Sequence, residues 1–345
     1  MKKHLFTMIL CAYTLTSLIF YSCSDGSTSS NQEPKTTSKE YTVHLGFGGE
    51  ITNISTSPLT KAATVDTDLY GIQVYSCPAA DSISPTYSYY AYGLFDNKSD
   101  MTVNLLQGYI YKFICTMVVD GKDKIYHYTT NNKYTYYSPF FIYSGTDTLN
   151  NKFMYSTTSY MYGLYEGWAS INSNNSIIGA QRPNVDRYYG ELAAFVPADN
   201  KSATISMKRV VYGAKFIAEG LTEGKLEISM KDAPSIYIVY PDTTVQDIFT
   251  FENLNSYSNS MAWTGDNYSE SISTSITWTK ADGATVPLAT QDITFKRNML
   301  TTITVKVNDT STKSGITLST ESTGMGDGGS VTINGSSSGS TTVNP

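Results

Sequence analysis

The sequence has little of three things that a chemical site in a protein usually needs: cysteine, histidine and charge. Its 345 residues include 4 Cys and 3 His, and only 16% are Asp, Glu, Lys or Arg. His44 and His127, the two histidines beyond the N-terminal segment, each lie within a strand-like pattern. An imidazole-based metal site needs more ligands than that. The sequence therefore predicts neither a metal nor another cofactor.

Basic residues are also scarce. There are 24 Lys and Arg against 30 Asp and Glu, so the formal net charge is −6. Removal of residues 1–22, which hold two Lys and no acid, would lower it to −8. Nucleic-acid binding depends on basic patches that contact phosphates, so no nucleic-acid partner is expected.

Motifs of catalysis are weak. The segment GSSSG at residues 335–339 has the form G-x-S-x-G, but it lies in a Gly/Ser/Thr-rich tail and not between a strand and a helix. The turn around Asp327 lacks the spaced oxygen ligands of a calcium site. We therefore expect no catalytic residue and a protein that is not an enzyme.

The N-terminal segment has the pattern of a secretory signal peptide. Two lysines precede an apolar stretch over residues 5–20, and a small residue, Ser22, follows. A transmembrane anchor is the alternative, although the stretch is short against the roughly 20 residues that a membrane helix needs. We expect residues 1–22 to be removed.

Cys23 follows Ser22 and begins a polar stretch, which resembles a bacterial lipobox with its tether. In this interpretation Cys23 becomes the acylated N-terminus, and residues 23–40 link it to the folded chain. Acyl chains contribute about 0.8 kcal/mol per buried methylene, so several of them would hold the protein on a membrane. The other interpretation is an ordinary signal peptide with an incidental Cys.

Beyond Cys23 the chain has two cysteines, Cys77 and Cys115. They could pair in an oxidising compartment. Alternatively, both are buried thiols that act as small apolar side chains.

Alternation of apolar and polar residues predicts strands along most of the chain. In residues 109–119 every second residue, from Tyr109 to Val119, falls on one face, and the turn Asp120-Gly121 predicts a hairpin with residues 124–130. Residues 225–230 and 300–307 alternate in the same way. No segment has a sustained helical period. The pattern predicts an all-β fold of β-sandwich type.

Two domains are predicted from length and from the polar turn after Pro197. The predicted divisions are a signal peptide at 1–22, a linker at 23–40, an N-terminal β-sandwich at 41–199, a C-terminal β-sandwich at 200–320 and a Gly/Ser/Thr-rich tail at 321–345, with a possible short strand at 330–334.

Tyrosine is abundant, with 28 residues, and clusters in YSYYAYGLF and YSTTSYMYGLYEGW. Such rings can stack on sugars or anchor an interface. Tyr is also a good strand former on a half-exposed sheet, which is the plainer interpretation.

Four segments together resemble the fimbrillins and fimbrillin-like lipoproteins that build the type V pili of anaerobic Gram-negative bacteria. They are FYSCSDG, PLTKAATVDTDLYGIQVY, ISMKRVVYGAKF and FKRNMLTTITVKV, and they span most of the chain after the signal peptide. The resemblance implies two transthyretin-like β-sandwich domains in tandem on a lipidated precursor at the outer membrane and cell surface.

In polymerising members of that family, a protease removes the first strand by cutting after a basic residue in the next loop, and a strand from a neighbouring subunit fills the groove. The resemblance makes Lys61 the candidate cleavage residue, where the family commonly has Arg; a solvated loop charge is the other interpretation. The candidate exchanged strand is YTVHLGFGGEI, with Tyr41, Val43, Leu45 and Phe47 pointing inward.

The resulting hypothesis is a surface lipoprotein that acts as a fimbrial subunit or pilus-associated adhesin. Its expected partners are other pilus subunits, the membrane through the lipid anchor, and a host or bacterial surface ligand. The alternative is a surface glycan-binding lipoprotein that serves a nutrient importer, because it too needs an anchor, β-sandwiches and exposed aromatic residues.

Overall fold

Strands make up most of the described chain. The structure is a computed structural model that describes residues 38–51, 67–145, 148–173, 176–254, 261–307 and 318–324. Cys23, Lys61 and the two tail segments around Asp327 and residues 335–339 lie outside these residues.

The strands of the N-terminal region, which we define as residues 38–209, are β1 Glu40–Gly49, β2 Leu69–Pro78, β3 Ser88–Phe95, β4 Thr102–Leu106, β5 Tyr109–Val118, β6 His127–Thr130, β7 Lys133–Tyr136, β8 Ile142–Tyr143, β9 Met154–Tyr155, β10 Tyr160–Met161, β11 Ala169–Ser173, β12 Ser176–Ala180, β13 Arg187–Phe195 and β14 Ala203–Arg209. A short helix, α1, spans Gly121–Lys124, and 3₁₀ turns span Ala79–Asp81 and Lys98–Asp100.

The strands of the C-terminal region, residues 210–324, are β15 Val211–Glu219, β16 Lys225–Met230, β17 Ile236–Val239, β18 Thr244–Thr250, β19 Ser269–Thr279, β20 Thr285–Lys296, β21 Met299–Lys306 and β22 Leu318–Gly324. The all-β prediction is confirmed.

An eight-stranded sheet organises the N-terminal region, with the order β4-β1-β14-β13-β5-β2-β3-β9. Both faces of the central strand β5 are apolar because each packs in a buried cluster. Phe113, Cys115 and Met117 join one buried cluster, and Ile114 and Val118 on the opposite face join another. The predicted alternation is therefore confirmed, and both faces of the strand lie in a core.

The predicted hairpin over residues 109–130 is wrong. β5 pairs with β2 and β13, whereas α1 follows it and β6 pairs with β7. Asp120 has a φ of 52°. After this residue the backbone enters α1 and does not return alongside β5. The Asp-Gly dipeptide marks a turn, but long-range pairing decides which strands become neighbours.

Two four-stranded sheets form the C-terminal region, in the orders β18-β15-β21-β22 and β17-β16-β19-β20. Their inward side chains, among them Phe216 and Ile303 from the first sheet and Leu226 and Ile276 from the second, belong to one buried cluster. This region is therefore a β-sandwich. The predicted alternation in β16 and β21 is confirmed, because Leu226 and Ile303 lie at the positions predicted to point inward.

The predicted boundary between residues 199 and 200 is wrong in position. β14 lies beyond it, yet β14 pairs with β13 and β1 of the N-terminal sheet. The polar turn after Pro197 is thus the connection of a hairpin within one sheet, because Pro and polar residues mark a tight turn in any setting. The N-terminal strand series ends at Arg209.

One buried cluster runs from the outer face of the N-terminal sheet into the C-terminal sandwich. Ile114 and Tyr189 belong to it, and so do Tyr212 and Trp278. The described residues from Ser38 onward form one compact unit. The division into two tandem domains stays a prediction.

The start of the predicted tail at residue 321 also needs correction, because β22 spans Leu318–Gly324 and pairs with β21. The strand predicted at 330–334 lies outside the described residues. Among the residues that the structure describes, no helix is long and apolar enough to cross a membrane.

Candidate functional site

The first strand, β1, lies between β4 and β14 and contacts each over half of its length. Glu40–His44 pairs antiparallel with Leu106–Thr102 of β4, and Leu45–Gly49 pairs parallel with Ala203–Met207 of β14. The next strand in the sequence, β2, lies elsewhere in the sheet, between β5 and β3. The connection that contains Lys61 therefore links two strands that are not neighbours.

Alternate side chains of β1 point into the core, as predicted. Val43 is fully buried and Leu45 nearly so, and Tyr41 and Phe47 pack against the same cluster. The Phe47 ring stacks on Tyr70, with ring centroids 5.5 Å apart. β1 thus contributes an entire row of side chains to the N-terminal core.

The edges of the sheet approach each other over this core. Asn104 of β4 donates its backbone N–H to the hydroxyl of Tyr155 on β9 at 2.8 Å, and its carbonyl accepts from the hydroxyl of Tyr90 on β3, also at 2.8 Å. Side chains therefore connect β4 to the opposite edge of the sheet. β1 therefore fills the space between β4 and β14 in this sheet.

The C-terminal end of β1 is held by a group that we call the Glu50 anchor: Glu50, Arg209, Arg297 and Asp266. Both carboxylate oxygens of Glu50 accept hydrogen bonds from Nη1 of Arg297, at 3.1 and 2.8 Å, and one also accepts from the backbone N–H of Arg209 at 2.8 Å. The Arg297 side chain is only 3% exposed, so solvent screens this ion pair weakly.

Arg297 comes from the turn between β20 and β21, and it also donates to the carbonyl oxygen of Arg209 at 2.9 Å. Its Nη2 lies 3.4 Å from Asp266. The anchor therefore joins the end of the first strand to the C-terminal sandwich. The pKa of Asp266 is lowered mainly by its hydrogen bond with Lys208.

The N-terminal end of β1 has a different ion pair. Lys39 Nζ lies 2.6 Å from Asp199, and the two side chains are 49% and 70% exposed. The pKa of Lys39 is raised, chiefly by its hydrogen bond to Asp199. Exposed pairs of this kind contribute little to stability.

Cys77 and Cys115 are free thiols, and both are buried. In the β2–β5 ladder, Cys115 faces Ile72 and Cys77 faces Ile110, so the two lie several rungs apart. Burial raises the pKa of Cys115 far above its usual range. Of the two interpretations left open by the sequence, that of buried apolar thiols describes the structure.

The two tyrosine-rich segments meet on the outer face of the N-terminal sheet. Tyr89 stacks on Tyr160 with ring centroids 4.5 Å apart, and Tyr75 and Tyr143 extend the row at 5.5 and 5.3 Å. Because these rings pack on one another, the strand-forming interpretation accounts for them.

The histidines lie apart. His44 Nδ1 is 2.9 Å from Thr102 Oγ1, whereas the His127 ring lies between Tyr134 and Tyr136. Within the described ranges no group of three or more His, Cys, Asp or Glu residues is placed to hold a metal ion.

Sequence reasoning missed the Glu50 anchor. Glu50 is the penultimate residue of the segment YTVHLGFGGEI, and Arg297 lies in the segment FKRNMLTTITVKV, so both were within recognised segments. Nothing in their spacing, 247 residues, signals that they meet.

Comparisons with known proteins found fimbrial proteins among solved structures. The fimbrial anchor protein Mfa2 from Porphyromonas gingivalis aligns with 11% identity over 83% of this chain and 98% of its own, with a TM-score of 0.33. The tip fimbrial protein Mfa3 from the same organism, with a C-terminal truncation, aligns with 11% identity over 81% of this chain and 99% of its own, with a TM-score of 0.30.

A protein from Bacteroides uniformis whose name suggests a role in cell adhesion aligns with 10% identity over 83% of this chain and 96% of its own, with a TM-score of 0.34. No protein-family model and no curated protein matches the chain. The structural neighbours are thus fimbrial and adhesion proteins.

Proposed function

We propose that this chain is a fimbrial subunit or pilus-associated adhesin at the cell surface, and that it assembles by donor-strand exchange after β1 is removed. The observation that carries the proposal is the position of β1. It fills a gap between β4 and β14, buries Val43 and Leu45 in the core, and is followed by a connection to a distant strand. The role is structural and needs no catalysis.

Removal of β1 would expose two kinds of surface at once. β4 would lose its ladder partner and β14 one of its two, and the core would lose the four side chains that alternate inward from Tyr41 to Phe47. A strand from another subunit could satisfy both the backbone groups and the apolar pockets. Completion of the fold would then drive polymerisation.

The geometry restricts which strand could replace β1. It must run antiparallel to β4 and then parallel to β14, with apolar residues at every second position. A donor that enters in the opposite direction would reverse both ladders. Partners in the proposed fibre are therefore subunits with an alternating apolar strand of about ten residues, the length of β1.

The Glu50 anchor explains how the precursor could stay monomeric. A cut after Lys61 would break the chain beyond Glu50, so the ion pair with Arg297 and the β1 ladders would still hold the strand. Release would then be slow, and exchange would need a competing strand.

The proposed location at the outer membrane rests on Cys23. If Cys23 is acylated, residues 23–40 would tether the fold to the membrane until the cut after Lys61 and the exchange of β1 together separate the fold from its anchor. Cys23→Ser should move the protein out of the membrane fraction and abolish incorporation of labelled fatty acid. Retention of both properties would contradict the lipid anchor.

Assembly is tested by limited trypsin treatment of wild type, Lys61→Ala and Lys61→Arg. Wild type and Lys61→Arg should form SDS-resistant oligomers over time, and their chains should begin at Ala62. Lys61→Ala should stay monomeric, because its first strand remains covalently attached. Equal polymerisation of Lys61→Ala, or a cut protein that stays a stable monomer after the β1 peptide has been separated, would contradict donor-strand exchange.

A further inference from the structure

A cleft with a volume of about 470 Å³ lies where residues 162–168 approach the chain after β18. This volume falls within the usual range of small-molecule sites, about 300–1,000 Å³. Its lining combines two aromatic rings, two carboxylates and two amides: Tyr162, Trp168, Glu166, Glu252, Gln181 and Asn253.

The first wall of the cleft is fixed by Arg187, whose side chain is completely buried. Its guanidinium donates to the carbonyl oxygens of Gly163 at 3.1 Å, Leu164 at 2.9 Å and Gly167 at 3.2 Å. Burial lowers the pKa of Arg187 to about 9, so it remains a cation at neutral pH. The segment that precedes Trp168 is thereby attached to the sheet.

The second wall lies against the first through backbone contacts. Gly167 donates its N–H to the carbonyl of Glu252 at 2.7 Å, and Glu166 forms an isolated β-bridge with Asn253. A Cβ at Gly167 would lie 2.1 Å from the carbonyl oxygen of Phe251, so the approach requires glycine. The cleft is therefore a formed feature of the fold, because backbone contacts join its two walls.

Two aromatic rings of the cleft stay accessible. The indole of Trp168 lies on Gly179, where an added Cβ would come within 2.4 Å of the ring, and 38% of Trp168 is exposed. Tyr162 is 43% exposed. An aromatic ring that packs on the protein with one face and exposes the other to solvent suits a ligand that has one apolar face, because stacking then buries apolar surface on both partners.

The polar groups of the cleft favour a ligand that both donates and accepts hydrogen bonds. Glu252 is paired with Arg182, whose Nη2 lies 3.0 Å from its carboxylate and 2.9 Å from that of Glu270. Arg182 Nη1 also lies 3.3 Å from Asp232, so three carboxylates share this guanidinium. Glu166 and the amides of Gln181 and Asn253 offer hydrogen-bond acceptors and donors. Hydroxyl groups can use both kinds, whereas an ammonium group can use acceptors only.

We propose that this cleft binds a pyranose ring of a neutral glycan. The apolar C–H face of the sugar would stack on Trp168 and Tyr162, and its hydroxyls would hydrogen-bond with Glu166, Gln181 and Asn253. The inference deepens the adhesin part of the proposed function and is independent of strand exchange, because β1 contributes nothing to the lining of the cleft.

The test is saturation-transfer NMR on the uncut monomer with three probes at millimolar concentration: methyl β-galactoside, methyl α-mannoside and methyl β-N-acetylglucosaminide. At least one should receive saturation at its ring C–H protons, and added NaCl should not weaken the signal. Trp168→Ala and Tyr162→Ala should each reduce the signal at least fivefold, while Trp168→Phe should retain part of it.

Tyr237→Ala is the matched control, since Tyr237 lies on β17 with 45% exposure, close to that of Tyr162. It should leave the signal unchanged. The proposal is overturned if none of the three sugars receives saturation. It is also overturned if Trp168→Ala and Tyr162→Ala both retain the full signal while circular dichroism shows that they are folded. Displacement of the sugar by acetyl-lysine amide in a salt-dependent manner would overturn it as well. Each variant should still polymerise after trypsin treatment, so a failure of assembly would point to the strand-exchange proposal instead.

Discussion

β1 and β15 occupy equivalent positions in the two regions, but they are held differently. Each is the first strand of its region, and each lies between one antiparallel and one parallel partner: β4 and β14 for β1, β18 and β21 for β15. In β15, residues 213–217 pair on both sides at once. In β1, the two ladders follow each other end to end, with a hydrogen bond from Leu45 N to Met101 O at the junction.

This difference shows what holds each strand. A residue of β15 has ladder partners on both sides, so the strand is secured by its backbone. Each residue of β1 has a ladder partner on one side only, so the strand depends more on its inward side chains and on the Glu50 anchor. Elements with fewer backbone hydrogen bonds open more easily, which is what the proposed strand exchange would require.

The largest effect is expected from removal of β1 itself. A chain that begins at residue 67 loses the inward row from Tyr41 to Phe47, at about 1.5–3 kcal/mol for each fully buried apolar side chain. That sum is comparable to the whole stability of a typical domain, about 5–15 kcal/mol. We expect the shortened chain to aggregate or to lack a cooperative melting transition by circular dichroism.

A synthetic peptide of residues 38–51, added during refolding, should restore the transition and a monomeric elution volume. The same peptide with Val43→Asp and Leu45→Asp is the control and should not. A shortened chain that melts cooperatively as a monomer without peptide would show that β1 matters no more than an ordinary edge strand.

A smaller effect is expected from a matched pair of substitutions, Val43→Ala in β1 and Val305→Ala in β21, the parallel partner of β15. Both valines are completely buried, and each substitution should lower the free energy of unfolding by about 2 kcal/mol in urea titrations. Hydrogen exchange should separate them. Val43→Ala should speed exchange in β1 about tenfold or more, whereas Val305→Ala should leave β1 amides unchanged. If both substitutions speed the exchange of β1 amides equally, β1 opens only when the whole fold unfolds.

A still smaller effect is expected from Glu50→Gln. The substitution keeps the shape of the side chain but removes the charge that Arg297 binds, so the free energy of unfolding should fall by about 1 kcal/mol. In trypsin-cut protein, the β1 peptide should leave about fivefold faster, as measured by displacement with a labelled copy of residues 38–51. An unchanged rate would show that the ladders alone hold the strand.

The smallest effect is expected at the other end of β1. Asp199→Asn removes the exposed pair with Lys39, which water already screens. Neither thermal unfolding nor release of the β1 peptide should change measurably. A change as large as that of Glu50→Gln would contradict the assignment of the anchor to the Glu50 end.

Much of the fold could be predicted because strand alternation is a local property. The inward row of β1 and the strands β16 and β21 were correct for this reason. Errors arose wherever a prediction required the identity of a neighbour. The hairpin after β5, the boundary after Pro197 and the start of the tail at residue 321 each took a local turn or composition signal as evidence of long-range organisation.

The candidate site, like the fold, was predictable only in its local features. The sequence resemblance pointed to β1 as the strand of interest, and the alternation from Tyr41 to Phe47 gave its inward face. The partners β4 and β14 and the Glu50–Arg297 pair were not predictable, because these contacts join residues about 60 to 250 positions apart. The cleft at Trp168 was hidden for the same reason.

The sequence by itself determined the class of structure and the orientation of its strands, because the period of two between apolar residues depends only on the geometry of an extended backbone. Tertiary structure alone decided that β1 bridges two partners end to end while β15 pairs on both sides at once. It also decided that Cys77 and Cys115 remain separate and that Arg187 positions the wall of a cleft. Such features depend on which distant segments pack together, and that is set by the summed burial and hydrogen bonding of the whole chain.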